Sequence, residues 1–302
     1  MGIRKVLKNN KIHSLLFVCL LLSLLFCAGC QQGISVQEQA QAQNICPQIA
    51  DEDDLLKLVF IDVGQGDSIL LIAPNGQAML IDGGENCAAD TVLAVLAAEE
   101  IEELAVVVAT HPHSDHIGGL LAVFAQTKVQ SVYMPQVSHD TAAFENLLMA
   151  IKTEGLQITW AKAGDMVALD DSLKIEIESP FLEEHSNLNN YSVVLHIVYG
   201  QRSFLLMGDA EAEIELNLAG INADVLKVGH HGSRSSTIDL FASRLGAQTA
   251  IISCGKDNHY EHPHAETLET LTKYDIEVYR TDLDGTITVL CDGKKITVEA
   301  EK

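Results

Sequence analysis

The chain has 302 residues, of which 47% are hydrophobic, enough for one large domain or two small ones. Its 42 aspartates and glutamates outnumber 19 lysines and arginines, a net charge of −23. A surface that grips nucleic acid along its backbone is basic, so a broad electrostatic nucleic-acid face is disfavoured.

The first 29 residues read as a processing segment. Arg4, Lys5, Lys8 and Lys11 form a basic start. Residues 15–26 are an apolar run as long as a signal-peptide core and short for a membrane span. The run ends at Cys27-Ala28-Gly29-Cys30, where small residues before a cysteine resemble a bacterial lipoprotein signal, although Cys27 stands where leucine is usual. Cys30 is then the lipidated first residue of the mature protein, holding it to the outer face of the cell membrane or another extracytoplasmic membrane. A plain signal peptide and an uncleaved anchor are the alternatives, and all three place the domain outside the cytoplasm. Loss of residues 1–29 removes four basic residues and leaves 15 against 42 acidic ones, a net −27. Residues 30–54, rich in Gln, Ala, Asp and Glu, read as a flexible tether. Residues 55–302 form the domain, with no interdomain break and no internal repeat.

Residues 56–62 are a short β-type run closed by the turn Gly64-Gln65-Gly66. Strands are expected at 68–73 and 77–81, around Pro74-Asn75-Gly76. A helix is expected at 88–100, a strand ending at Thr110, and helices at 117–125 and 141–153. Strands follow at 157–161, 173–179, 191–198 and 203–207, then a helix at 212–219. The rest alternates: strand 225–228, helix 236–245, strand 249–253, helix 265–274, and strands 277–280, 286–290 and 295–299. Many strands in two groups with helices between them suggest two sheets with helices outside. With Cys30 lipidated, Cys46, Cys87, Cys254 and Cys291 allow three disulfide pairings. Cys254 and Cys291 lie in apolar strand-like runs and fit buried free thiols at least as well.

The chemistry gathers at strand ends. The apolar run 104–109 delivers His111-Pro112-His113-Ser114-Asp115-His116, three imidazoles and a carboxylate suited to zinc and similar divalent metals. Asp62-Val63-Gly64-Gln65-Gly66-Asp67 ends the first strand; Asp62 and Asp67 there can orient metal-bound histidines, or form an ordinary hairpin turn. Asp82, before Gly83-Gly84, has the same two readings. Asp209 follows Leu205-Leu206-Met207-Gly208 and can bridge two metals or cap a helix. Val228-Gly229-His230-His231-Gly232-Ser233 ends a further strand; His230 comes first off the strand and is the favoured ligand, with His231 as the alternative. His262, in His262-Pro263-His264, can contact substrate or protonate a leaving group; His259 and His264 equally fit a solvated loop.

Taken in order, DVGQGD, IDGG, HPHSDH, LLMGD, LKVGHHGS, HPH and Tyr279-Arg280-Thr281-Asp282-Leu283-Asp284-Gly285 resemble the metallo-β-lactamase superfamily. The resemblance is closer to the hydrolase domain attached to ComEC-type DNA-uptake channels and its stand-alone relatives, and it spans residues 56–291. It implies an α/β fold, an αββα four-layer sandwich with a two-metal site at one edge. His111 and His113 would hold the first metal, Asp115, His116 and His230 the second, and Asp209 would bridge them. Zinc suits these ligands, and manganese is possible where oxygen and water are frequent ligands. The implied activity is metal-assisted hydrolysis of a phosphodiester, DNA or phosphate-containing envelope material, with Asp115 orienting the attacking water and Lys227 and Arg234 helping the metals attract an anionic substrate. Two departures stand out. A further metal histidine is expected before the bridging aspartate, where this chain has Ser186-Asn187-Leu188-Asn189-Asn190-Tyr191-Ser192, with His185 and His196 nearby. That leaves the first site one protein ligand short and weighs against a true β-lactamase. No set of membrane spans accompanies the domain, so a translocation channel is not expected. The alternative to an enzyme is a non-catalytic, metal-stabilised module that binds a partner at the membrane, for example in DNA uptake.

Overall fold

A computed structural model describes residues 55–181 and 184–302. The expected leader, Cys30, the tether and Cys46 lie outside the described residues. No helix among the described residues is long and apolar enough to cross a membrane.

The chain begins with strands β1 (Leu56–Phe60), β2 (Ile69–Ile72) and β3 (Ala78–Ile81), helix α1 (Ala89–Ala98) and strand β4 (Glu103–Val108). One-turn helix α2 (Ser114–Ile117), α3 (Leu120–Gln126), β5 (Lys128–Pro135), α4 (Ala142–Thr153) and β6 (Ile158–Ala161) complete the first half. The second half runs β7 (Leu173–Ser179), β8 (Val194–Tyr199), β9 (Arg202–Leu206), α5 (Ala212–Glu215) and β10 (Val225–Lys227). It ends with α6 (Asp239–Leu245), β11 (Thr249–Ile252), α7 (Ala265–Lys273), β12 (Glu277–Arg280), α8 (Thr281–Asp284), β13 (Ile287–Cys291) and β14 (Ile296–Ala300).

One sheet has eight strands in the order β14-β13-β1-β2-β3-β4-β5-β6, the other six in the order β12-β11-β10-β9-β8-β7. Leu58 and Phe60 of β1 point into a core shared with Ile177, Leu195, Phe204 and Leu206 of the second sheet. Val59 and Ile61, one position out of phase, pack against Val92 of α1 and Leu120 of α3. On the far side, Leu205 and Leu226 meet Phe241 of α6 and Leu271 of α7. Both faces of the central strands are therefore covered, which is why they read as unbroken apolar runs. The layers are helix, sheet, sheet, helix, as expected. Each fully buried Leu, Ile or Phe contributes roughly 1.5–3 kcal/mol, and these three cores carry the charged residues gathered at one edge.

Four expectations shift. β5 was not foreseen, because Lys128, Gln130 and Ser131 interrupt its apolar pattern, although Val129, Val132 and Met134 are buried. The expected strand from 191 starts at Val194, because residues Leu188–Tyr191 form a 3-10 turn. The helix from 212 stops after one turn. The helix from 236 starts at Asp239, because Thr237 has a left-handed backbone (φ 55°) and both Thr237 and Ile238 give their N–H groups to Glu215. Cys87, Cys254 and Cys291 are free thiols, the last two buried.

Candidate metal centre

The loops that leave the carboxyl ends of β1, β3 and β4 meet those that leave β9, β10 and β11, the edge where α/β sheets place ligands. Gly66 lets the first of these loops lie against α2. Its φ is +129°, and a Cβ there would fall 2.1 Å from the carbonyl oxygen of Asp115. The adjacent Asp67 N–H donates to that oxygen at 3.2 Å.

Two groups of ligand atoms share Asp209, which is 2% exposed. In one, Nε2 of His116 and Nε2 of His231 stand 3.3 Å apart. Asp209 Oδ1 lies 3.2 and 3.3 Å from them, and Asp115 Oδ2 lies 3.5 Å from His231 Nε2. The opposite nitrogens are already engaged: His116 Nδ1 donates to Asp82 Oδ2 at 2.7 Å, and His231 Nδ1 donates to the Ser253 carbonyl at 2.9 Å. Both lone pairs therefore face one point. In the other group His111 Nε2 and His113 Nδ1 stand 3.0 Å apart, with Asp209 Oδ2 3.7 Å from His111. Thr110 and Ser192 hydroxyls sit 3.1 and 3.4 Å from His111 Nδ1.

The donor set fits divalent cations. Asp209 Oδ1 is buried without a hydrogen bond, although it lies between two imidazoles. Burial alone disfavours charged imidazoles, yet the carboxylates of Asp209, Asp82 and Asp115 hold His116 well above its ordinary value. Against the same burial, Asp209 and Asp67 push His231 up to about 9. Burial also works against an ionised Asp209, but His231 and His116 keep its carboxyl well below the usual range. The pocket thus draws positive charge to the point between the two Nε2 atoms, the property a cation site needs. Asp209, by its two oxygens, faces both groups.

Several sequence-based assignments change. His230 does not enter the group around His116; His231 does. The residues have φ of 47° and 53°, so two successive left-handed residues turn the first imidazole outward and the second inward. His231 is 1% exposed, whereas the side chain of His230 is 25% exposed. Asp62 does not orient a histidine: its Oδ1 accepts from Gly64 N in its own turn, and its Oδ2 lies 3.5 Å from Lys302 Nζ. Asp82 accepts from His116, and Asp67, whose Oδ1 lies 3.3 Å from His231 Nδ1, belongs to the same close grouping of ligand atoms as His116, His231 and Asp209. Lys227 is fully buried and bound to Asp67 Oδ2 and the Gly208 carbonyl, so it faces no substrate. Arg234 is exposed, 3.4 Å from Glu266, and does not line the cavity over the site. His196 contacts Glu178 and the Asn222 carbonyl, and His185 contacts Glu213, so neither approaches Asp209.

A cavity of about 290 Å³ opens over the two groups, lined by Asp115, Asn189, His230 and His262 among others. His262 is 7% exposed and its Nδ1 has no hydrogen-bond partner. Burial, with His230 and His231 nearby, pulls its imidazole down to about 4. Tyr260 stacks on it at 5.6 Å. Asn258 fixes its backbone through both the His262 N–H (3.0 Å) and carbonyl (2.7 Å).

The residues missed by motif reading are those that hold the ligands: Thr110, Ser192, Ser253, Glu211 and Glu215. Thr110 and Ser253 each follow a β-run, and Thr110 directly precedes the His111–His116 motif, which is the one sequence signal they carry. Glu215 secures the histidine-pair loop through the Thr237 and Ile238 N–H groups, and burial pushes its carboxyl up to about 7. Its folded value lies above the unfolded one, so its favourable contribution is complete below the unfolded value and is lost as pH rises through about 7. Thermal melts of wild type and Glu215→Gln at pH 5 and pH 8 check this. The variant should gain on wild type by about 2–3 kcal/mol across that range; parallel curves would contradict it.

A family model described as the metallo-beta-lactamase superfamily matches residues 61–256. The chain is 36% identical over 248 residues to ComE operon protein 3 of Bacillus subtilis, covering 75% of this chain and 32% of that protein. It is 30% identical over 236 residues to Recombination protein 2 of Haemophilus influenzae, covering 76% and 28%. The chain thus spans about a third of the length of these curated relatives. The solved metallo-beta-lactamase fold protein YhfI of Bacillus subtilis superposes with a TM-score of 0.51 at 15% identity, over 81% of this chain and 100% of that one, a likeness of fold.

Proposed function

The chain belongs to the metallo-beta-lactamase superfamily, and from that premise we propose that it is a phosphodiesterase, lipid-anchored through Cys30 outside the cytoplasm. The observation that carries this is the placement of Asp209, whose two carboxylate oxygens face two converging sets of imidazoles beneath an open polar cavity. His116, His231, Asp115 and Asp209 would hold one cation, and His111, His113 and Asp209 the other, zinc by donor type with manganese as the alternative. Bound divalent cations supply water activation and neutralise the negative charge that builds on a phosphoryl group. Asp115, beside His231 and partly open to the cavity, stays ionised because His116 and His231 outweigh its burial. It is placed to accept a hydrogen from the attacking water and so orient it. His262 faces the same cavity with an unpartnered nitrogen; pulled down to about 4 it is neutral near pH 7, which suits contact with the substrate rather than proton donation to the departing oxygen.

The substrate is a phosphodiester reached at one short segment. The net charge of −23 weighs against an extended grip on long nucleic acid, and local attraction falls to the cations. A relative named for recombination puts DNA among the phosphodiesters to test, beside phosphate-linked envelope polymers. The test is turnover of bis-p-nitrophenyl phosphate, single-stranded DNA and a polyol-phosphate polymer by the zinc- or manganese-loaded protein, before and after chelation. Turnover abolished by chelator and restored by metal is expected. Full metal occupancy with no turnover on these substrates, a lactam or a thioester would sink the enzyme reading in favour of a binding module.

A further inference from the structure

We propose that His230 is the third histidine ligand of the first metal site, completing a set of four protein ligands with His111, His113 and the Asp209 Oδ2 oxygen. The inference rests on the metal-centre reading above. Three observations carry it. First, His230 Nε2 lies 3.9 Å from Asp209 Oδ2, the same oxygen that lies 3.7 Å from His111 Nε2. Ligands about 2.0–2.2 Å from a tetrahedral zinc stand roughly 3.3–3.6 Å apart, and His230, which lies outside the 4.8 Å grouping of His111, His113 and Asp209, must swing inward from the cavity wall to join them. Second, the far side of the ring is already anchored. Glu211 Oε1 lies 3.0 Å from His230 Nδ1, with the Ser235 hydroxyl at 3.1 Å. A carboxylate that accepts a hydrogen bond from Nδ1–H fixes the ring and leaves the Nε2 lone pair free for a metal, the carboxylate–histidine arrangement of metal sites. Third, Asn189 stands between the parts: its amide donates to Glu211 at 2.9 Å and lies 3.3 Å from both ring nitrogens of His230, while its own Oδ1 is buried with no partner.

The two consecutive histidines therefore divide the work. His231, turned inward, serves the site with His116; His230, turned toward the cavity, serves the site with His111 and His113. The Asn-containing turn, where a metal histidine is absent, holds the Glu211–His230 pair instead. The more exposed first site, built on a ligand at the cavity wall, should be the weaker of the two.

Cobalt(II) titration of the full chain in detergent, stripped of metal and followed by absorption and metal analysis, tests this. Wild type should take two equivalents. His230→Gln should keep one tight equivalent and bind the other at least tenfold more weakly, and Glu211→Gln should weaken the same equivalent about 10–100-fold. Adding His113→Gln to His230→Gln should cost no further equivalent, whereas adding His116→Gln should leave none bound tightly. Two equivalents at wild-type affinity in His230→Gln would overturn the proposal. So would loss of the equivalent that His116→Gln also removes. If His230→Gln gives no cooperative melt, Glu211→Gln decides, and unchanged affinity there overturns it. Wild type that binds two equivalents but hydrolyses no phosphodiester would refute the proposed function while leaving this ligand assignment standing.

Discussion

Asp209→Ala should lower phosphodiester turnover by at least about a thousandfold, the upper scale for loss of one group that stabilises transition-state charge. The reason is that this one carboxylate faces four imidazoles. Its Oδ1 lies 3.2 and 3.3 Å from His116 and His231, and its Oδ2 lies 3.7 and 3.9 Å from His111 and His230. Its loss removes a ligand from both sites and the negative charge that draws cations between the rings. Fold stability should fall as well: His231 and His116 hold the buried Asp209 carboxyl well below its usual range, so its loss leaves those imidazoles without a counter-charge and the metal-free variant should melt below metal-free wild type. What should vanish is the gain on adding metal, which for wild type at a hundredfold excess over Kd is about 2.7 kcal/mol. Metal analysis, turnover and melts with and without zinc together check this. A variant that keeps two equivalents, or a tenth of the turnover, would refute the bridging assignment.

Lys227→Met should be the most destabilising substitution near the site, although Lys227 touches none of the imidazoles. Lys227 is fully buried, and its ammonium is bound to Asp67 Oδ2. Removing one partner of a buried ion pair leaves the other charge unpaired and costs about 3–5 kcal/mol. For a domain of this size that corresponds to a fall in Tm of roughly 6–20 °C. The double variant Lys227→Met with Asp67→Leu should recover most of this, since replacing both partners with apolar groups is far milder. Metal affinity should not recover with it. Asp67 Oδ1 lies 3.3 Å from His231 Nδ1, and loss of such an orienting carboxylate weakens binding about 10–100-fold. Melting curves and metal titration on the two variants separate the roles. A double variant with both stability and affinity restored would show that Asp67 only neutralises Lys227.

Much of the fold was legible because its central strands are covered on both faces. Residues 58–61, 104–109 and 204–207 are unbroken apolar runs with a glycine-containing or histidine motif after them, and each lies on or at the end of a strand. β5 escaped notice because polar side chains at 128, 130 and 131 break its pattern while its partners β4 and β6 still pair with it. The boundaries at 191 and 236 failed for a related reason. There, hydrogen bonds from distant residues, such as Glu215 to Thr237, decide where the element starts.

At the site, residue type and order alone singled out His111, His113, Asp115, His116 and Asp209, because only a metal or a proton-transfer site rewards so many imidazoles and carboxylates at strand ends. The same motif reading favoured His230 over His231 for the site with His116, could not tell Asp62 from Asp67, and did not see that Lys227 turns inward. Those outcomes depend on left-handed backbone at 230 and 231, on Gly66 lying against Asp115, and on which buried charge stands opposite which. The amino-acid sequence by itself determined that a sandwich of apolar strands would bring imidazoles and carboxylates to one edge. Only the tertiary structure decided which nitrogen faces which oxygen, because that choice is set by backbone turns and by burial of charges from residues more than a hundred positions apart.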